Sequence, residues 1–177
     1  TINLVLLAEG GVEITGLDYS LPMLELAREK ATRAGVGEKV KFVHGEATQV
    51  PFPDGYFDCV GVSFAFRNLT YKSPLRLPHL AEVLRLLKRG GRYVIVESSQ
   101  PGNWVIRALF HFYLRAFVTP VGILLSGNRG AYHYLAESAS RFYSAEEVKE
   151  MLLTAGFREV AYRPLFFGAA GIHVATK

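Results

Sequence analysis

The side chains that could do chemistry in this sequence gather after segments that read as β-strands. Asp18 closes the run Glu13-Ile14-Thr15-Gly16-Leu17. In an open α/β sheet, ligands sit beyond the carboxyl ends of the strands, and an acid there can accept hydrogen bonds from ribose hydroxyls. The other reading of Asp18 is a helix cap, but Ser20 already suits that role. Glu46 and Ala47 follow the strand-like Val40-Lys41-Phe42-Val43, where a carboxylate and a backbone group can read an adenine edge. A solvated loop acid explains Glu46 equally well. Ser63-Phe64-Ala65-Phe66-Arg67-Asn68-Leu69 ends a long apolar run that starts at Phe57. Arg67 stays protonated, so it is no general base at ordinary pH, yet it can stabilise a developing phenolate. Asn68 can donate and accept at once, which suits a substrate hydroxyl or a water. A structural pair satisfying strand-end carbonyls is the even alternative. The five histidines show no metal spacing, and no metal site is expected; His111 and His133 are the candidates for a base.

These residues need a sheet to hold them, and the sequence supplies one. Strand-like and helix-like segments alternate, which predicts a parallel sheet flanked by helices. After the strand ending at Asp18, Ser20 and Pro22 open a helix that runs to about Arg33 with Leu24, Ala27 and Ala31 on one face. Val40–Val43 is the next strand. The nearly uncharged run from Phe57 to Phe66 reads as a strand buried on both faces. Leu80, Val83, Leu84 and Leu87 mark a helical stripe that Gly90-Gly91 should terminate, and Arg92–Glu97 is a further strand. Ser144-Ala145-Glu146-Glu147 fits a capping box, with Gly156 closing that helix. Two final strands, about Arg158–Arg163 and Gly171–Thr176, are joined too tightly for a crossover and should be antiparallel.

Residues 98–136 break the pattern. They contain no Asp or Glu, and Arg107, His111 and Arg115 are spaced by four along an otherwise apolar helix. Such a helix over a crevice suits a greasy ligand or an anionic membrane surface; packing on the core with the arginines in solvent is the bland alternative. Arg107, Arg115 and Pro120 interrupt Val105–Leu125 as a membrane span.

Composition bounds the rest. The chain has 177 residues, 50% of them apolar and 20% charged, which excludes disorder and fits a single domain over 1–177 with an insertion at about 98–142. A net charge of +4 is too small for a dedicated nucleic-acid binder. The single cysteine, Cys59, forbids an internal disulfide and a thiolate-rich zinc site, and its apolar surroundings predict a small buried core residue. The opening Ile2–Ala8 has no basic flank and makes a poor signal peptide, so the expected setting is cytoplasmic. A ribose-binding acid implies a glycine-rich loop about 20 residues upstream. Counting back from Asp18 passes Thr1, while Gly10-Gly11 fall after the first helix, so that loop and its strand are expected ahead of Thr1.

These residues resemble the class I methyltransferases that use S-adenosylmethionine. Gly16–Leu24, Pro51–Asp58 and Leu87–Arg92 carry the general likeness. Ser63–Asn68, Tyr132-His133-Tyr134-Leu135-Ala136-Glu137-Ser138 and Gly171–Lys177 resemble, more narrowly, the ubiquinone/menaquinone C-methyltransferases. The resemblance implies a Rossmann-like, doubly wound, mostly parallel sheet with an antiparallel C-terminal strand and a helical insertion over the active site. It implies S-adenosylmethionine as cofactor, with Asp18 on the ribose, Glu46 and Ala47 on the adenine side and Ser63 lining the pocket. It places Arg67 and Asn68 at a polyprenylated quinol that receives a methyl group on a ring carbon. Glu46 stands where Asp or Asn is usual in that family, and Thr70–His79 is a few residues longer; the alternative substrate is another small lipophilic acceptor, a phenol or a lipid amine. A non-catalytic scaffold is the reading from a different class. The partners implied are a lipophilic quinol, peripheral membrane contact at the inner face through 98–136, and a homodimer, with no nucleic acid.

Overall fold

A computed structural model describes residues 10–177. Ile2–Ala8 and the first helix expected there lie outside the described residues. The chain forms two compact units, residues 1–52 and 53–177.

In the first unit, β1 (Ile14–Asp18) and β2 (Val40–His44) pair in parallel, Ile14 opposite Val40 and Asp18 opposite His44. The connection is α1 (Leu21–Arg33), with Leu24 and Ala31 buried as the apolar spacing requires. Ala31, Val36 and Val40 form its small core with Ile14 and Phe42. Ser20 does not cap α1 with its side chain. Its backbone N–H instead donates to Asp18 Oδ1 at 2.9 Å, so the acid organises the turn that Ser20 was expected to hold.

The second unit has a four-stranded sheet in the order β3-β4-β6-β5: Phe57–Ser63, Leu87–Ser98, Ala170–Thr176 and Glu159–Leu165. β3 and β4 are parallel; β6 runs antiparallel to both β4 and β5, as the tight final connection predicts. Between β3 and β4 come α2 (Phe66–Thr70) and α3 (Arg76–Leu86). The run from Phe57 is shorter as a strand than its apolarity suggests, because Phe64 takes a left-handed φ of 53° and the chain turns into α2. Nor is β3 buried on both faces. It pairs only with β4 among the described strands, and Cys59 is exposed rather than in the core. The helix expected to stop at Gly90-Gly91 ends at Leu86. Those glycines lie inside β4, next to a register shift against β3; Gly90 has φ +76°, and a Cβ on Gly91 would meet Asp58 O at 3.2 Å.

The core gathers Phe66, Leu80, Val83, Leu87, Tyr93 and Ile95 with Phe142, Val148, Leu152 and Phe157. Leu152 and Val148 come from α7 (Ala145–Ala155), whose capping box is complete: Glu147 N–H donates to Ser144 Oγ, and Ser144 N–H to Glu147. Gly156 closes it at φ +113°.

The insertion comprises α4 (Trp104–Tyr113), a π-turn (Leu114–Val118), α5 (Thr119–Ser126) and α6 (Arg129–Ser140). Pro120 does not break the first stretch. It enters the first turn of α5, just after the π-turn has shifted the hydrogen-bond ladder, where its missing N–H costs least. The result is a continuous 23-residue helix, Trp104–Ser126, long and apolar enough by length and composition to cross a membrane, and mostly exposed. Its inner side packs on α6 through Leu114, Ala136 and Ala139.

His173 ties β6 to α7. Its ring lies 4.6 Å from that of Tyr162, tilted by 39°, Nε2 lies 3.3 Å from the Ala145 carbonyl, and Nδ1 is buried without a partner among the described residues. Burial pushes its pKa below the ordinary histidine value. The unfolded chain then binds more protons than the folded one as pH drops through about 6.5, so stability should fall from there down to the folded pKa and level off below it. Urea unfolding between pH 7.5 and 5 should show that loss, and His173→Gln should flatten it; an unchanged slope in the variant would assign the loss to other groups.

Candidate functional site

The carboxyl end of each parallel pair holds residues singled out above. In the first unit, Asp18 is half-buried at the carboxyl end of β1, opposite His44 of β2. Gly45 N–H donates to the Asp18 carbonyl at 3.2 Å, and His44 Nε2 lies 2.8 Å from the Tyr19 carbonyl. These bonds fix the two strand ends side by side, so Glu46 and Ala47 follow at the same end as Asp18. Glu46 is exposed and Ala47 half-buried; a turn bond from Gln49 N–H to Glu46 O, 3.1 Å, orders that loop. Asp18 Oδ1 accepts from Ser20 N–H, and a carboxylate has lone pairs enough to accept from further hydroxyls such as those of a ribose.

In the second unit, Ser63 is exposed at the end of β3, opposite Val96. Phe64 N–H donates to the Val96 carbonyl at 2.8 Å, and the left-handed Phe64 then swings the chain into α2. Left-handed non-glycine residues are uncommon and gather at functional sites. Phe66 at the start of α2 is fully buried among Tyr93 and Phe142, which pins the helix to the core.

Arg67 is buried at 5% exposure, not open at a strand end. Its backbone N–H donates to Glu97 Oε2 at 3.0 Å, and its Nη1 lies 3.6 Å from Glu97 Oε1 and 3.4 Å from Ser98 Oγ. Its Nε is buried with no acceptor among the described residues. Asn68, next in sequence, is exposed; Tyr134 of α6 reaches its Oδ1 with the phenol 3.4 Å away. So the second unit brings Ser63, Arg67 and Asn68 together at one strand end, with the insertion supplying Tyr134.

Glu97 was read only as the last residue of a strand. The available signal was an acid that follows the apolar run Tyr93–Val96, since an acid there must find a partner. Gln100 was also missed. It donates to the Ala139 carbonyl at 2.8 Å and accepts from His111 Nε2 at 3.0 Å, fastening both insertion helices to the end of β4. That bond makes Nε2 the protonated nitrogen of His111. Burial, then Arg115 and Arg107, push the His111 pKa down. His133 lines a cleft with Arg115, Thr119, Glu137 and Arg141. No group of three or more potential metal ligands occurs among the described residues.

Two S-adenosylmethionine-dependent methyltransferases are among the solved structures that share this fold. That of Aquifex aeolicus matches with TM-score 0.61 and 21% identity over 93% of this chain and 68% of its own. That of Methanosarcina mazei matches with TM-score 0.65 and 21% identity over 98% of this chain and 86% of its own. At such identities the likeness shows the fold. The model of the ubiE/COQ5 methyltransferase family matches residues 1–177. Demethylmenaquinone methyltransferase of Thermus thermophilus is 40% identical over 168 residues, 94% of this chain and 73% of that protein. The same enzyme of Geobacillus kaustophilus is 39% identical over 165 residues, 93% and 68%. The ubiquinone/menaquinone biosynthesis C-methyltransferase of Pseudomonas savastanoi is 36% identical over 160 residues, 90% of this chain and 61% of that one. The chain belongs to the ubiE/COQ5 methyltransferase family.

Proposed function

We propose that this protein transfers a methyl group from S-adenosylmethionine to a ring carbon of a polyprenylated quinol precursor in menaquinone or ubiquinone biosynthesis. The 40% identity to a demethylmenaquinone methyltransferase over 94% of the chain carries the reading. Residues 1–177 act in it as one methyltransferase domain. Asp18 accepts from the cofactor ribose, Glu46 and Ala47 serve the adenine side, and Ser63 lines the cofactor pocket.

When bound, the cofactor supplies a methyl group already electrophilic on its sulfonium. The protein's own task is to align the acceptor carbon and favour loss of the quinol proton, because a phenolate raises electron density at that carbon. Arg67 donates to the ring oxygen as charge develops there; its unpaired Nε gives it the capacity. Asn68, exposed beside it, holds the hydroxyl or a water that takes the proton. Incubation of the protein with methyl-labelled cofactor and reduced demethylmenaquinone should yield a quinol heavier by one methyl-for-hydrogen exchange. Label appearing on other lipophilic acceptors, and none on the quinol, would overturn the assignment.

The helix Trp104–Ser126 suits a cytoplasmic protein held at the inner membrane face, where a polyprenyl tail resides. Leu109, Phe112, Phe117, Leu124 and Leu125 are all more than half exposed. The acid-free stretch 98–136 bears Arg107, Arg115 and Arg129, which complement an anionic lipid surface better than they do a second copy of the same basic helix. The one tryptophan, Trp104, is 73% exposed and reports on this face. Its emission should shift to the blue with phosphatidylglycerol vesicles, less so as salt rises, and little with phosphatidylcholine alone. No shift with either lipid would remove the membrane from the account.

A further inference from the structure

The helix that carries Arg67 begins without a cap of its own. Its N-cap position is Ala65, which has no side-chain acceptor, and Phe64 before it is forced to φ 53°. The first N–H groups of a helix have no partner within it and need acceptors from elsewhere. The acceptor for Arg67 N–H comes from thirty residues further on: Glu97 Oε2 at 3.0 Å. The other oxygen of that carboxylate takes Ser98 N–H at 2.8 Å and faces Arg67 Nη1 at 3.6 Å. Glu97 is 2% exposed. One buried carboxylate thus holds the backbone of α2, the end of β4 and one edge of the guanidinium.

The remaining donors of Arg67 are what matters for chemistry. Nη1 is turned to Glu97 and to Ser98 Oγ, whereas Nε is buried and unpaired. Buried polar groups nearly always have a partner, so an unpaired guanidinium N–H calls for an explanation, and a role in catalysis is one. A carboxylate that engages only the Nη1 edge leaves that N–H available. A site residue held within about half an ångström needs a supporting contact of this kind.

We propose that Glu97 is the positioning residue of the methyl-transfer site: it caps α2, fixes the Nη1 edge of Arg67 and so reserves Nε for an oxygen of the acceptor ring. The inference rests on the assignment of Arg67 to the quinol. Its test is steady-state kinetics of the full-length enzyme with quinol and cofactor varied separately, for Glu97→Gln, Glu97→Asp, Arg67→Lys and Glu97→Gln/Arg67→Lys. Glu97→Gln removes the charge and turns one acceptor into a donor. It should lower kcat by about 100-fold or more, the range for a lost oxyanion donor, while the KM for the cofactor stays within about twofold, the scatter of a single contact. Glu97→Asp, which keeps the charge, should recover part of kcat. The double variant should be no slower than Arg67→Lys alone, because both changes disable one device.

If Arg67→Lys is impaired but Glu97→Gln keeps full kcat, Glu97 has no positioning role while the assignment of Arg67 stands. If Arg67→Lys keeps full kcat, the assignment of Arg67 itself fails. Multiplying losses in the double variant would show that Glu97 acts independently of Arg67 and would also overturn the proposal. Should Glu97→Gln not fold, Glu97→Asp decides: a kcat equal to the parent's refutes the role, and a reduced kcat with unchanged cofactor KM supports it.

Discussion

A buried carboxylate facing a buried guanidinium is the constraint on which the second unit is built. Glu97 and Arg67 are 2% and 5% exposed, so neither charge can rely on water. Breaking such a pair by removing one partner leaves an uncompensated charge and costs about 3–5 kcal/mol, although replacing both by apolar groups is often neutral. Bare stability therefore does not call for the pair. Orientation does: the carboxylate is spent on two backbone N–H groups and one edge of the guanidinium, an arrangement no apolar pair could reproduce. The strained Phe64 and the fully buried Phe66 serve the same end, one turning the chain and the other pinning it.

The insertion follows the same logic on a larger scale. Its helices share few buried side chains, so its attachment to β4 relies on Gln100, which binds the Ala139 carbonyl and His111 together. That leaves the outer face of Trp104–Ser126 apolar, basic and uncommitted. An enzyme whose acceptor carries a long isoprenoid tail gains from such a face, since the tail need not leave the lipid for the ring to enter the site. Tyr134, on α6, brings the insertion to Asn68. The exposed apolar helix and Asn68 are thus parts of one unit.

Much of this was legible in the residues, and the gaps have physical causes. The alternation of strands and helices, the capping box at Ser144 and the antiparallel ending are local signals, and local signals are what a sequence records. Asp18 stands out as a candidate because strand ends are where ligands bind, but its bond to Ser20 N–H does not, since it depends on the turn's backbone. Cys59 and the run around it look buried only if apolarity is taken for burial; in the fold β3 keeps exposed side chains along its length. Pro120 looked like a break, yet the π-turn before it absorbed the lost hydrogen bond. Glu97 escaped notice because its meaning lies in Arg67, thirty positions away, and only the fold joins them.

If the buried Nε–H of Arg67 donates to the acceptor's ring oxygen, as proposed, its resonance must respond to the quinol. Proton–nitrogen NMR of the arginine Nε–H groups, in the presence of S-adenosylhomocysteine, observes it directly. Titration with reduced demethylmenaquinone should move the Arg67 resonance downfield and slow its exchange with water, as a new hydrogen bond to an oxygen requires. A resonance that stays in place while quinol binds would contradict the account.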